Sequence, residues 1–142
     1  MRARERQRPW TIPRATYRVQ LHREFPLQAA TQLVPYLHRL GISHLYVSPL
    51  LKARPGSQHG YDVIDHSMLN PELGTPPDLE ALARTLHDHG MGLIMDVVPN
   101  HMGILADDNA WWLDVLENGP AATYADYFDI DWAPARESLK NR

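Results

Sequence analysis

The sequence predicts an α/β fold built on a parallel sheet, and three observations carry that prediction. Short stretches rich in β-formers alternate with amphipathic helical segments in the order β-α-β-long loop-α-β-α-β. Gly or Pro marks the end of most segments, at Gly41, Pro49, Gly90, Pro99 and Gly119-Pro120. Residues 92–98 (GLIMDVV) form a nearly continuous apolar run, the pattern of a parallel strand buried on both faces. Repeated βα units joined by right-handed crossovers place ligands beyond the carboxyl ends of the strands.

Each element has its own justification. Residues 17–21 (YRVQL) alternate and read as a strand. A helix follows over 27–40, with Leu33, Leu37 and Leu40 spaced i, i+4, i+7 as an apolar stripe and Gly41 as the stop. Pro35 lies inside it and is expected to kink or split it. Residues 44–48 (HLYVS) form the second strand, closed by Pro49 and completing one βαβ unit. No helix or strand is evident from 49 to 77, and so long a connection in a compact domain points to function. Leu50, Leu51, Tyr61, Val63, Ile64, Met68 and Leu69 all favour burial, which argues against disorder there. Thr75 is an N-cap with Pro76 at N1 and acidic residues in the first turn, so a helix starts here. Its expected buried face is Leu79, Leu82, Ala83 and Leu86. After the apolar strand, residues 107–117 read as a helix anchored by Trp111, Trp112, Val115 and Leu116. Phe128, Ile130 and Trp132 alternate with Asp129 and Asp131 as a half-buried strand.

Composition narrows the function. The chain has 142 residues, enough for one domain with a real core. The formal net charge of −3 argues against nucleic acid as a partner. Arg2, Arg4, Arg6, Arg8 and Arg14 crowd the start, and residues 1–14 are read as a disordered, solvated basic tail. No apolar segment is long enough to cross a bilayer and no signal-peptide pattern is visible, so no membrane partner is expected. The absence of Cys excludes disulfides and thiolate chemistry and fits a reducing compartment; a cytoplasmic location is expected.

Two polar clusters follow strand ends. The first is His59-Gly60-Tyr61-Asp62 with Asp65-His66, inside SQHGYDVIDHSMLNPELG. An aromatic beside a carboxylate suits a sugar, the ring covering a pyranose face and the carboxylate accepting from hydroxyls. A core tyrosine beside a turn-forming aspartate is an equal reading of the residue types alone. Asp62, Asp65 and His66 are formally metal-ligand types, but no HExxH or spaced HxH accompanies them, and neither a metal nor a cofactor is expected. The second cluster is Asn100-His101. Spacing alone favours turn stabilisation for Asn100 and gives His101 little weight. Asp96 lies in the apolar strand and is read as a buried structural carboxylate, bonded by backbone or an arginine.

DVVPNH (96–101) and GYDVID (60–65) resemble two signature stretches of the α-amylase superfamily of (β/α)8 barrels. More narrowly, TYRVQL, GISHLYVSPLLKARPGSQHGYDV, LNPELG, DVVPNHMG, WWLDVLENGP and YFDIDW together resemble the maltooligosyl trehalose synthase family, over residues 16–132. The resemblance implies about three βα units of a TIM barrel. It implies a substrate, a maltooligosaccharide, whose reducing-end α-1,4 bond is converted to an α,α-1,1 bond by intramolecular transglycosylation with retention. Tyr61 would stack on the ring in the subsite of the covalent intermediate, and Asp62 and His101 would bond its hydroxyls. Asn100 would hold the loop, at a position some superfamily members use for calcium; His59 would line the same pocket, and Asp96 would be structural.

The family's nucleophile, acid/base and third carboxylate come from later strands, so no catalytic residue is expected in this chain; they are expected beyond Arg142. Asp62 and Asp96 match neither catalytic position. Residues 15–102 are then the first βα units and 103–142 the start of an insertion after the third strand. The chain is expected to be the N-terminal part of a longer enzyme, inactive alone, whose pathway partner would be a maltooligosyl trehalose trehalohydrolase. The alternatives are part of an amylase-type glucan hydrolase, or a non-catalytic glucan-binding module.

Overall fold

A computed structural model describes residues 12–133. The expected tail lies outside the described residues except at 12–14, as does the stretch after 133. Three parallel strands form the sheet: β1 (Thr16–Val19), β2 (His44–Val47) in the centre, and the strand Gly92–Met95 on the far side. Tyr17, Leu45 and Leu93 share one register row, and Arg18, Tyr46 and Ile94 share the next. Successive side chains alternate faces, so the sheet has two different surfaces. One carries Val19, Leu45, Val47 and Leu93 into the core; the other carries Arg18, His44, Tyr46 and Ile94.

The core face is covered by α1 (Leu27–Arg39) and α2 (Pro76–Asp88). Leu27, Ala30, Val34 and Leu37 are the buried residues of α1. Of the leucine stripe the spacing predicts, Leu37 is buried and Leu33 packs partly buried against the core, but Leu40 is exposed. Pro35 does not split α1, which runs unbroken for 13 residues. In α2, Leu82 and Leu86 are buried, Leu79 is partly buried, and Ala83 faces out. Asp78 caps α2 by accepting from the Thr75 amide at 2.7 Å and its hydroxyl at 2.6 Å. Those bonds hold the Asp78 carboxyl below its ordinary range.

Further expectations are corrected. The stretch from 49 to 77 is not without strands: β3 (Leu51–Ala53) and β4 (Val63–Leu69) pair antiparallel. Register shifts on either side of Lys52 break the alternation that would have shown them. The strand Gly92–Met95, now β5, stops before Asp96 and is not buried on both faces, since Met95 and Val97 are exposed. It is an edge strand of this sheet, paired on one side with β2. Residues 128–132 form no strand; a short 3-10 turn (Ala125–Tyr127) precedes them. The helix α3 (Ala110–Asn118) begins later than expected because Asn109 caps it, accepting from the amides of Trp111 and Trp112. Leu116 is exposed, whereas Val115 is buried.

Candidate functional site

The polar residues gather beyond the carboxyl ends of β1, β2 and β5. The loop between β3 and β4 reaches this end because Gly60 turns there with φ 78. A side chain at Gly60 would place its Cβ 3.0 Å from the Pro49 carbonyl oxygen, so the loop can lie against the end of β2 only with glycine. Ser57 organises the turn, donating to Asp62 Oδ1 and accepting from the Gly60 amide at 3.1 Å. The Tyr61 amide donates to His59 Nδ1 at 3.0 Å, and the two rings stack with centroids 6.1 Å apart. His59 Nδ1 also lies 3.8 Å from Asp62 Oδ1.

Tyr61 crosses to the inner face of the sheet. Its hydroxyl donates to Asp96, and the Tyr46 hydroxyl donates to the same carboxylate oxygen at 3.0 Å. The Tyr61 phenol hydrogen bond, with that of Tyr46, holds the Asp96 carboxyl below its ordinary range; Arg18 adds attraction. The same bond raises Tyr46, because ionising the phenol would face a carboxylate. Asp96 is therefore half-buried at the sheet end rather than enclosed in a strand, and its partners are two tyrosines rather than an arginine directly. Arg18 was not singled out by the sequence reading, yet its guanidinium donates to the Tyr61 hydroxyl at 3.1 Å. That bond raises the Arg18 pKa above its ordinary value. The alternation in YRVQL was the available signal, since it sets Arg18 and Gln20 on one face and Tyr17, Val19 and Leu21 on the other.

His101 joins the two clusters. Its Nε2 lies 3.0 Å from the Tyr61 carbonyl oxygen, an acceptor, so this nitrogen carries the hydrogen. Nδ1 lies 3.1 Å from Asn100 Oδ1. Asn100 thus orients His101, and His101 fixes the backbone of Tyr61. Among the described residues no hydrogen bond joins Asp62 to His101; they flank Tyr61 from two loops. A cleft of about 560 Å³ opens beside His101, lined among others by Asn100, Trp111, Tyr127 and Phe128, but not by Tyr61 or Asp62.

The remaining candidates have local partners. Asp65 accepts from the Ser67 amide at 2.8 Å and its hydroxyl at 2.6 Å, which lowers its pKa. His66 Nε2 bonds the Val98 carbonyl at 3.0 Å and ties β4 to the loop after β5. No group of three His, Asp or Glu side chains gathers as metal ligands among the described residues. Among the described residues no helix is long and apolar enough to cross a membrane.

A parallel βα sheet with its polar cluster beyond the strand ends is the arrangement in which α/β proteins place their ligand sites. The alpha-amylase catalytic-domain model matches residues 26–141, and the chain belongs to that family. Within it, the solved maltooligosyltrehalose synthase from Arthrobacter ramosus is 53% identical with a TM-score of 0.83, covering 84% of this chain and 16% of that one. A Mycobacterium tuberculosis relative bearing the maltooligosyl trehalose synthase name is 48% identical over 124 residues, 83% of this chain and 16% of the relative. The intracellular maltogenic amylase of Bacillus subtilis is 33% identical over 116 residues, 82% of this chain and 19% of the amylase. The solved structures that the chain resembles are TIM-barrel enzymes. The chain thus spans about 16% of the length of the synthases it matches.

Proposed function

We propose that this chain is the N-terminal portion of a maltooligosyl trehalose synthase and supplies one wall of its sugar site. The observation that carries the reading is the meeting of two motifs forty positions apart: His101 of DVVPNH holds the backbone of Tyr61 in GYDVID at 3.0 Å. Identity to synthases, at 40–54%, exceeds the 33% to the maltogenic amylase and favours the synthase over the hydrolase.

In this reading the Tyr61 ring covers one face of the glucosyl unit at the intermediate subsite. Its hydroxyl, engaged by Asp96 and Arg18, leaves the ring as the recognition surface. Asp62 accepts from sugar hydroxyls; only one of its oxygens is occupied, by Ser57, among the described residues. His101 approaches the same sugar from the other loop, Asn100 orients it, His59 lines the pocket, and Asp96 is structural. Residues 15–102 form the first βα units of the barrel, and 103–142 begin an insertion after the third strand. The catalytic carboxylates belong to strands beyond Arg142. Retention requires a nucleophile and an acid/base about 5 Å apart. Transfer then returns the released glucose, through its anomeric hydroxyl, to the glycosyl-enzyme before water enters. The chain alone is inactive. The parent acts in the cytoplasm on maltooligosaccharides, and a maltooligosyl trehalose trehalohydrolase consumes its product.

The test is to incubate the native polypeptide carrying these residues with maltopentaose. Reducing ends and chain length are measured together. Loss of reducing ends at constant oligosaccharide mass supports the reading. Shortened chains with new reducing ends assign the chain to a hydrolase.

A further inference from the structure

We propose that Arg18 and Gln20 are positioning residues that clamp the Tyr61 loop in its sugar-facing pose, an inference that rests on the reading of Tyr61 as a ring platform. The two side chains leave the first strand and its continuation two residues apart, on the same face. Arg18 Nη2 donates to the Tyr61 hydroxyl at 3.1 Å and to Gln20 Oε1 at 3.0 Å. Gln20 Nε2 in turn donates to the His59 carbonyl at 2.9 Å. One arm therefore grips the backbone before Gly60, and the other grips the tip of the side chain after it.

The clamp has no slack at its centre. Gly60 is wound into a left-handed turn against the Pro49 carbonyl. The Arg18 guanidinium also lies over the Tyr46 ring, 5.6 Å from its centroid. Tyr46 and Tyr61 converge on one oxygen of Asp96. Arg18 thus fixes two phenols that share one carboxylate, and the Tyr61 hydroxyl both gives and receives a hydrogen bond. A ring so held cannot swing on χ1 without breaking both bonds. Gln20 adds a tether to the backbone that the tyrosine network does not reach.

Two variants of the native polypeptide separate the arms. Arg18→Met keeps the apolar stem and removes the donors. Gln20→Glu keeps the acceptor for Arg18 and removes the donor to His59. In each, kcat/KM for maltopentaose is expected to fall about tenfold, because the stacking ring is displaced. Amide exchange at Gly60 and Tyr61 is expected to rise about tenfold, with the β2 amides unchanged. In a Tyr61→Phe background, Arg18→Met is expected to change kcat/KM less than twofold, since its partner is already gone. A purely structural role would instead lower stability, add fully to Tyr61→Phe and leave the kcat/KM of the folded enzyme unchanged; that pattern overturns the proposal. Wild-type exchange at Gly60 and Tyr61 in both variants also overturns it. If no maltooligosaccharide is turned over, the functional reading fails, and the exchange result still decides whether the clamp exists.

Discussion

Replacing Gly92 by alanine tests the packing of the inner sheet face. Gly92 and His44 are register partners on β5 and β2. A Cβ at Gly92 would lie 2.3 Å from His44 Cδ2 and 2.4 Å from Nε2. Ordinary carbon contacts are about 3.5–4.0 Å, so the ring must retreat by more than about 1 Å. It has little freedom to do so. His44 is only 6% exposed, and its Nδ1 sits 3.1 Å from Ser43 Oγ. That hydroxyl is itself committed, accepting from the Arg14 and Ala15 amides and donating to the Ala15 carbonyl. Overpacking of this kind costs roughly 1–3 kcal/mol; with the ring pinned on one side, about 2 kcal/mol is expected. The melting temperature should fall with it. The assay is urea and thermal unfolding of the native polypeptide by far-UV circular dichroism. The double variant with His44→Ala should recover at least about 1 kcal/mol relative to additivity, since the new methyl then enters vacated space. A Gly92→Ala variant within about 0.5 kcal/mol of the parent, or an additive double variant, would refute the reasoning.

Other predictions follow from the same contacts. Asp96, Asp65 and Asp78 all titrate below their ordinary values in the folded chain. Their stabilisation is therefore present above the unfolded carboxylate pKa, about 4, and is lost as pH falls through the folded values. Urea midpoints should drop below about pH 4, and Asp96→Asn should make that drop shallower while leaving the pH 6–8 plateau flat. Truncating fully buried Leu37 in α1 to alanine should cost about 2–5 kcal/mol in urea unfolding. Arg54→Ala removes a 3.0 Å partner from Asp108, whose other oxygen is already buried without a hydrogen bond. The loss is expected to be about 2 kcal/mol, after allowing for the partial exposure of Arg54, and to appear as faster amide exchange in residues 103–109.

The legible parts of this chain are those where one local signal and one tertiary contact agree. Thr75, Pro76 and Asp78 mark the start of α2 because the capping bonds are made within four residues. β2 followed from its β-branched and aromatic content closed by Pro49. Elements whose pattern depends on a distant partner were less readable. β3 and β4 carry turn residues between them and two register irregularities, so neither strand shows clean alternation. Residues 128–132 alternate in sequence and partly in burial, but no neighbouring strand pairs with them among the described residues. Pro35 is tolerated without a break in α1, against its local preference.

The candidate site divides in the same way. Tyr61, Asp62, Asn100 and His101 stood out by motif, and the fold gathers them at one sheet end. The bonds that tie Tyr61 to Asp96 and His101 were not legible, because they join residues thirty-five and forty positions apart. Arg18 and Gln20 went unnoticed as site residues. They sit in a stretch whose alternation was read for strand formation, while their chemistry depends on a loop forty residues later.

The most direct test of the synthase reading follows the fate of the reducing-end glucose itself. Maltopentaose carrying ¹³C at that glucose is incubated with the native polypeptide in excess unlabelled glucose, and the products are read by mass spectrometry and by NMR of the anomeric carbons. Intramolecular transfer predicts a labelled product of unchanged mass whose terminal pair is α,α-1,1-linked. Labelled free glucose accompanied by maltotetraose would contradict it.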